Sequence, residues 1–190
     1  LSRGQFEVSS LQAKLGTGEQ LNAPSEDSTK ANLISRLESS LERQGVYQKN
    51  IDTAKTRLTS EETALASITN LIRRAYEIAI IGANGTMAAE DRAVLGAEVE
   101  SLRKELIEIA NTRDVDGHYI FGGNRTETPP YVESQNGDIA YVGDFGSRRI
   151  NVSDNRSLAI NTVGQDFLTG ADFSVVQVLE QGLKTNDVAA

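Results

Sequence analysis

The chain has 190 residues, of which 38% are hydrophobic and only 5% aromatic, and it contains no Trp. A chain of this length forms one domain or two small ones, and so few aromatic anchors favour an elongated helical fold over a compact enzyme. The net charge of −8 argues against nucleic acid as a partner, because phosphate binding needs a concentrated positive field.

Several other classes are excluded by composition. No apolar run reaches the roughly 18 residues of a membrane span, so we expect no membrane partner. The chain has no cysteine and one histidine, which excludes disulfides and a soft metal site. Because the chain begins at Leu1 rather than Met and ends at Ala190 without a helix stop signal, we expect both ends to be truncated.

A long helix is predicted from Ser25 to about Ile81. A short amphipathic segment at 6–15 and a glycine breaker at 16–18 precede it. Ser25 can cap the helix, with Glu26 and Asp27 in its first turn. Apolar residues recur every seven positions along it, in one row of Ile51, Leu58, Leu65, Ile72 and Ala79, and in a second row of Ala54, Ile68 and Ala75 that Glu61 interrupts.

A second helix follows a break at Gly82 to Gly85, with Thr86 as its expected cap. Its apolar residues are spaced by three and four positions, at Leu95, Val99, Leu102, Leu106 and Ile109. The short connection predicts antiparallel packing, with the row from Ile51 to Ile72 facing Leu95, Leu102 and Ile109. The second helix covers only half of the first, and a C-terminal helix that begins near Phe173 would cover more.

After the helical pattern ends at Asn111, apolar residues recur at every second position, which is the period of a strand. A turn at 114–117 leads to a predicted strand at 119–121, and further strands are predicted at 139–142, 149–152 and 157–160. The predicted fold class is α+β, a long antiparallel helical hairpin with a small inserted antiparallel β domain. We expect a helical rod domain at 1–125, completed by 170–190, and the β domain at 126–169.

No catalytic, cofactor-binding or metal site is predicted. His118 has no accompanying nucleophile, and we interpret it as a turn residue. The run from Asp114 to Gly117 looks like part of a calcium loop, but His118 and Arg125 occupy positions where that loop needs oxygen ligands. The polar turn is therefore preferred. Arg73 and Arg74 are either a solvated face or a subunit contact, and the sequence does not separate these.

Four blocks of the chain resemble the flagellin superfamily in order and spacing. They are Thr17 to Asp27, Tyr47 to Ile51, Ala83 to Thr86 with Asp91 and Arg92, and Leu102 to Asn111. Filament flagellins usually carry a double Ala in the first block and Phe-Asn-Gly after the second helix. This chain has Pro24-Ser25 at the first place and 114–123 followed by Pro129-Pro130 at the second, which resembles the hook-filament junction branch, the third hook-associated proteins.

The resemblance implies a non-enzymatic structural adaptor of the bacterial flagellum. Its implied partners are the first hook-associated protein, flagellin, other copies of itself in a ring when full length, and an export chaperone. The implied location is secreted, in the extracellular flagellum. A filament flagellin is the alternative, and a soluble ligand-binding module or enzyme is a distant one. Because the family's terminal coiled coils are missing, we expect this fragment to be monomeric.

The resemblance also bears on innate immune recognition. In flagellins, a receptor reads a helical segment that matches Ile72 to Ala79. Tyr76 stands where flagellins commonly have an Arg, so the charged planar group that suits bidentate pairing is missing. We expect weak activation of that receptor or none, which a cell reporter assay measures directly.

Overall fold

The computed structural model describes residues 28–187, together with Val8 and Gln12. Its helices are α1 Ser28–Gly82, α2 Ala89–Ala110 and α3 Gly170–Thr185. Its strands are β1 Tyr131–Glu133, β2 Ile139–Tyr141, β3 Arg149–Ser153 and β4 Arg156–Ala159, and a short 3-10 helix covers Gly164–Asp166. The fold is α+β, as predicted. None of the described helices is both long enough and apolar enough to cross a membrane.

The chain divides into two compact units, Leu1–Lys49 and Asn50–Ala190. In the first unit the described stretch is the beginning of α1, where Leu33, Leu37 and Leu41 are exposed. The predictions for 6–18 and for the Ser25 cap fall outside the described residues, apart from Val8 and Gln12, which are helical. The domain boundaries predicted at 125/126 and 169/170 stay a prediction.

The four strands form two separate antiparallel hairpins in the second unit. Tyr131 lies opposite Tyr141 in the first hairpin, and Arg149 lies opposite Ala159 in the second, which has an irregularity between Asn151 and Ser153. The strands predicted at 139–142, 149–152 and 157–160 are therefore confirmed to within a residue. Strand β1 was missed, because its three residues follow a Pro-Pro pair and are too few to establish a period.

The predicted strand at 119–121 is wrong. Only a single bridge forms there, between Arg113 and Tyr119. Ile120 N donates to Thr112 O, and Phe121 O accepts from Gly164 N, so the backbone bonds to different segments and not to one partner strand. Ile120 and Phe121 are fully buried, and they pack with Ala64 of α1. The segment therefore inserts Ile120 and Phe121 into the core, where they cover Ala64 of α1.

The predicted face of α1 is also wrong. Ile51, Leu58 and Ile72 are 42%, 38% and 42% exposed, and Leu65 is only half-buried. The buried positions of α1 instead follow the second row and the positions three residues beyond it: Ala54, Arg57, Glu61, Ala64, Ile68, Ala75, Ile78 and Gly82. Most of these are small or polar, so a search for large apolar residues selects the neighbouring row.

Small residues let the helices approach closely. A Cβ on Gly82 would lie 2.4 Å from a side-chain carbon of Leu183, and one on Gly96 would lie 3.2 Å from the backbone nitrogen of Lys184. Both contacts are with α3, which packs along α2. The predicted C-terminal helix is therefore confirmed.

The main core cluster joins all three helices to the first hairpin. Its buried members are Ile68, Leu106, Ala110, Tyr131, Ile139, Leu168 and Phe173. The Tyr131 hydroxyl donates to Leu168 O at 2.8 Å, and burial raises the pKa of this phenol. A capping box between Thr169 and Asp172 starts α3 one turn before Phe173, which directs that ring into the cluster.

A pair of substitutions tests which row of α1 is the core. Ile68→Ala empties a site that is 3% exposed, and it should lower the free energy of unfolding by about 2 to 5 kcal/mol. Leu58→Ala, from the row first predicted to be buried, should cost about 1 kcal/mol or less. Urea denaturation measures both. Equal losses, or a larger loss for Leu58, would contradict the observed register.

Candidate interface and polar clusters

The exposed seam is the apolar row on the outer side of α1, formed by Ile51, Leu58, Leu65, Ile72 and Tyr76. Tyr76 is 67% exposed, whereas Ile51, Leu58 and Ile72, spaced at multiples of seven residues, are each about two fifths exposed, and Leu65 between them is half-buried. Contiguous exposed apolar surface marks interaction sites. Helices that pack as a coiled coil bury apolar residues at a seven-residue period, so the geometry fits a helical partner.

A groove of about 620 Å³ continues the seam between α1 and α3. Ile72 and Tyr76 line one side, and Val175 and Leu179 line the other. The lining of the groove is mostly apolar, and Asp172 and Ser174 are among its few polar residues. Such a surface is suited to apolar side chains of a helix and offers no cluster of groups for acid-base chemistry.

The neighbouring residues Arg73 and Arg74, beside the seam, differ in their contacts. Arg74 Nε lies 2.7 Å from Glu98 Oε1, and Arg74 Nη1 lies 3.2 Å from Glu77 Oε2. The Arg74–Glu98 pair links α1 to α2 on the surface, whereas the Arg74–Glu77 pair lies within α1. Arg73 is exposed, and the choice between a solvated face and a subunit contact stays open for it.

Arg92 joins the ends of the helices. It is buried, and its Nε and Nη2 donate to Gly82 O at 3.1 Å and Asn84 O at 2.7 Å. Its Nη1 donates to Asn186 Oδ1, from the residue that ends α3 in a left-handed conformation. Arg92 therefore satisfies the last carbonyl of α1 and a carbonyl of the connection that follows it, and it anchors α3. The expected Thr86 cap is wrong, because α2 begins after Ala88 and Asn84 Oδ1 accepts from Thr86 N.

A network of charged side chains ties α2 to α3. Arg103 Nε lies 2.9 Å from Glu180 Oε2, and Lys184 Nζ lies 2.6 Å from Glu100 Oε2 and 2.7 Å from Glu180 Oε1. Hydrogen bonds from Lys104 and Lys184 lower the pKa of Glu100 to about 2. The network is near the surface, so we expect salt to weaken it.

A second polar cluster is buried against α1. Arg57 and Glu61 are 7% and 2% exposed. Arg57 Nη1 donates to Asp114 Oδ2 at 3.2 Å, and Glu61 Oε2 accepts from Thr162 N and Oγ1 at 3.1 and 3.0 Å. These bonds fasten two distant loops to one turn of α1. They explain why Glu61 interrupts an otherwise apolar row.

Burial dominates the electrostatics of this cluster. It raises the pKa of Glu61, although the Thr162 bonds and the charge of Arg57 act in the opposite direction. It also lowers the pKa of Arg57, and the positive charge of Arg148 lowers that pKa further. The protein thus disfavours the charged form of both groups, even though they lie close together.

The turn at 114–118 brings together the residues considered for calcium. Ligand atoms of Asp114, Asp116 and His118 lie within 4.8 Å of one another. Asp114 Oδ1 accepts from the backbone N of Asp116 and of His118, which is the geometry of a side-chain-closed turn. The Arg57 guanidinium on Asp114 Oδ2 already supplies a positive charge, so the contacts favour the polar-turn interpretation.

Comparison with known proteins identifies the family. The model of the bacterial flagellin N-terminal helical region matches residues 1–126, and the chain belongs to this family. It is 31% identical over 164 residues to flagellar hook-associated protein 3 of Escherichia coli, covering 86% of this chain and 51% of the relative. It is 24% identical over 143 residues to flagellin A of Vibrio cholerae, covering 75% of this chain and 38% of the relative.

Solved structures agree with the fold. A putative flagellar hook-associated protein from Vibrio parahaemolyticus superposes with a TM-score of 0.80 at 26% identity, over 85% of this chain and 74% of that one. The flagellar junction protein FlgL from Legionella pneumophila gives 0.63 at 29% identity, over 70% and 42%. The chain spans about half the length of the hook-associated protein it matches in Escherichia coli.

The pH dependence of Glu61→Gln tests the buried cluster. Because the folded-state pKa of Glu61 is raised above 4.5, its favourable contribution is complete below the unfolded pKa and is lost as the pH rises through the folded pKa. The stability of Glu61→Gln relative to the wild type should therefore increase with pH. Denaturation between pH 4 and 8 measures this, with the exposed neighbour Glu62→Gln as control. A pH-independent difference would contradict the account.

Proposed function

We propose that the chain is part of a non-enzymatic adaptor that joins the hook-associated ring of the bacterial flagellum to its flagellin filament. The exposed seam on α1 is the observation that carries the proposal, because a regular apolar row at helical spacing is an assembly surface. The higher identity to hook-associated protein 3 than to flagellin A favours the junction over the filament itself.

The proposed partners follow from this position. The first hook-associated protein lies on one side, flagellin on the other, and further copies of the whole protein complete a ring. An export chaperone serves the whole protein before assembly, and the assembled location is outside the cell. The similarity to flagellar hook-associated protein 3 and to a flagellar junction protein supports these partners.

Assembly through the seam has a simple energetic basis. Ile51, Leu58 and Ile72 each leave about two fifths of their surface in water. Covering apolar surface contributes roughly 25 cal/mol per Å², and the gain repeats at every seventh residue. Because these residues are not needed for the internal core, substitutions there should separate assembly from folding.

Ile72→Asp in the whole protein tests the proposal. It places a charge in the exposed seam, so folding of the 190-residue chain should change little while the filament fails to attach and flagellin appears in the medium. Thr63→Asp, on the opposite exposed face of α1, is the matched control and should support swimming. Normal filaments with Ile72→Asp would show that the exposed seam is not needed for filament attachment.

Complementation separates the junction from the filament alternative. The whole gene should restore filaments in a strain that lacks the junction protein and should fail in a strain that lacks flagellin. The opposite pattern would identify a filament subunit.

Sedimentation of the 190-residue chain should give a monomer, because the charge of −8 opposes close association. A stable ring of the chain alone would contradict that expectation.

A further inference from the structure

The buried cluster around Arg57 and Glu61 has more hydrogen-bonding groups than its neighbours satisfy. Arg57 Nε and Nη2, Glu61 Oε1 and Arg148 Nη1 are buried without a hydrogen-bond partner among the residues that the structure describes. Each such group loses its hydrogen bonds to water on folding and is destabilising if it stays unpaired. Buried polar atoms in native proteins are nearly always paired, with protein or with ordered water.

The unmatched atoms define what could pair with them. Arg57 and Arg148 offer N–H donors, whereas Glu61 Oε1 is an acceptor. Arg57 Nε and Glu61 Oε1 are 3.8 Å apart, which is too long for a direct hydrogen bond. A small molecule between them can lie within hydrogen-bond distance of both. It must accept from a guanidinium and donate to a carboxylate.

The charge balance selects the kind of molecule. In their ionised forms Arg57 and Arg148 contribute two positive charges, and Glu61 and Asp114 contribute two negative charges, so the ionised cluster has no net charge. An anion would meet the free oxygen of Glu61, and a cation would meet two guanidinium groups. A neutral molecule adds no net charge to a buried site.

We propose that Arg57, Glu61 and Arg148 form a site for a buried water. It accepts hydrogen bonds from Arg57 and Arg148 and donates one to Glu61 Oε1. A buried water typically makes about three hydrogen bonds, which matches one bond to each of these three side chains. The water thereby connects Arg57 and Glu61 of α1 to the segment that carries Arg148, while Asp114 bonds directly to Arg57.

A crystal structure of the 190-residue chain grown in sodium bromide tests the proposal. We expect a density peak within hydrogen-bond distance of Glu61 Oε1 and the Arg57 guanidinium, without the anomalous signal of bromide. A bromide signal there would overturn the proposal. Direct hydrogen bonds between the side chains, with nothing between them, would overturn it as well.

Glu61→Gln in the same bromide conditions tests the charge argument. The amide keeps the shape of the side chain but leaves two positive charges against Asp114 alone. We therefore expect an anomalous bromide peak in the variant and none in the wild type. Bromide missing from both crystals would overturn the argument that charge selects water, while the wild-type peak remains an independent measure if the variant folds poorly.

Discussion

One aromatic and one aliphatic side chain of α3, Phe173 and Leu183, hold the second unit together. Phe173, in the first turns of α3, lies in a cluster with Ile68 of α1 and Leu106 of α2. Leu183, in its last turn, lies in a second cluster with Ile78 of α1 and Val99 of α2. A short helix thus joins the two longer ones at two levels. The capping box at Thr169 and the Arg92 contact at Asn186 fix the two ends of that helix.

This arrangement determines which face of α1 is left for partners. Close approach of α3 requires small residues such as Gly82, so the buried face of α1 is made of alanines, glycine and two paired charges as well as isoleucines. The large residues at Ile51, Leu58 and Ile72 are therefore displaced to the outside. Internal packing and the assembly surface are two consequences of the same helical register.

Much of the fold follows from the sequence by simple rules. The bend after Gly82, the end of α2 at Asn111 and the strands near 139, 149 and 157 are marked by glycines, turn residues and a change of period. The face of α1 does not follow, because apolar size does not distinguish a core row from an assembly row. Tyr119 to Phe121 has strand composition, yet burial against Ala64 is decided by tertiary contacts.

The candidate sites were likewise only partly predictable from the sequence. Glu61 is visible in the sequence as an interruption of a row, but its partner Thr162 lies 101 residues further along the chain, and only the fold brings the two together. Arg92 was visible only as part of a resemblance, and its role depends on Asn186, which is 94 residues away. Long-range polar contacts of this kind carry no local signal.

Cysteine reactivity in the isolated chain and in assembled flagella tests the central claim most directly. The chain has no cysteine, so Ile72→Cys introduces a unique thiol on the exposed seam, and Ile68→Cys provides a buried reference. The account predicts that the thiol at position 72 reacts rapidly in the isolated chain and is protected in assembled flagella, while position 68 is protected in both. Rapid reaction at position 72 in both states would contradict it.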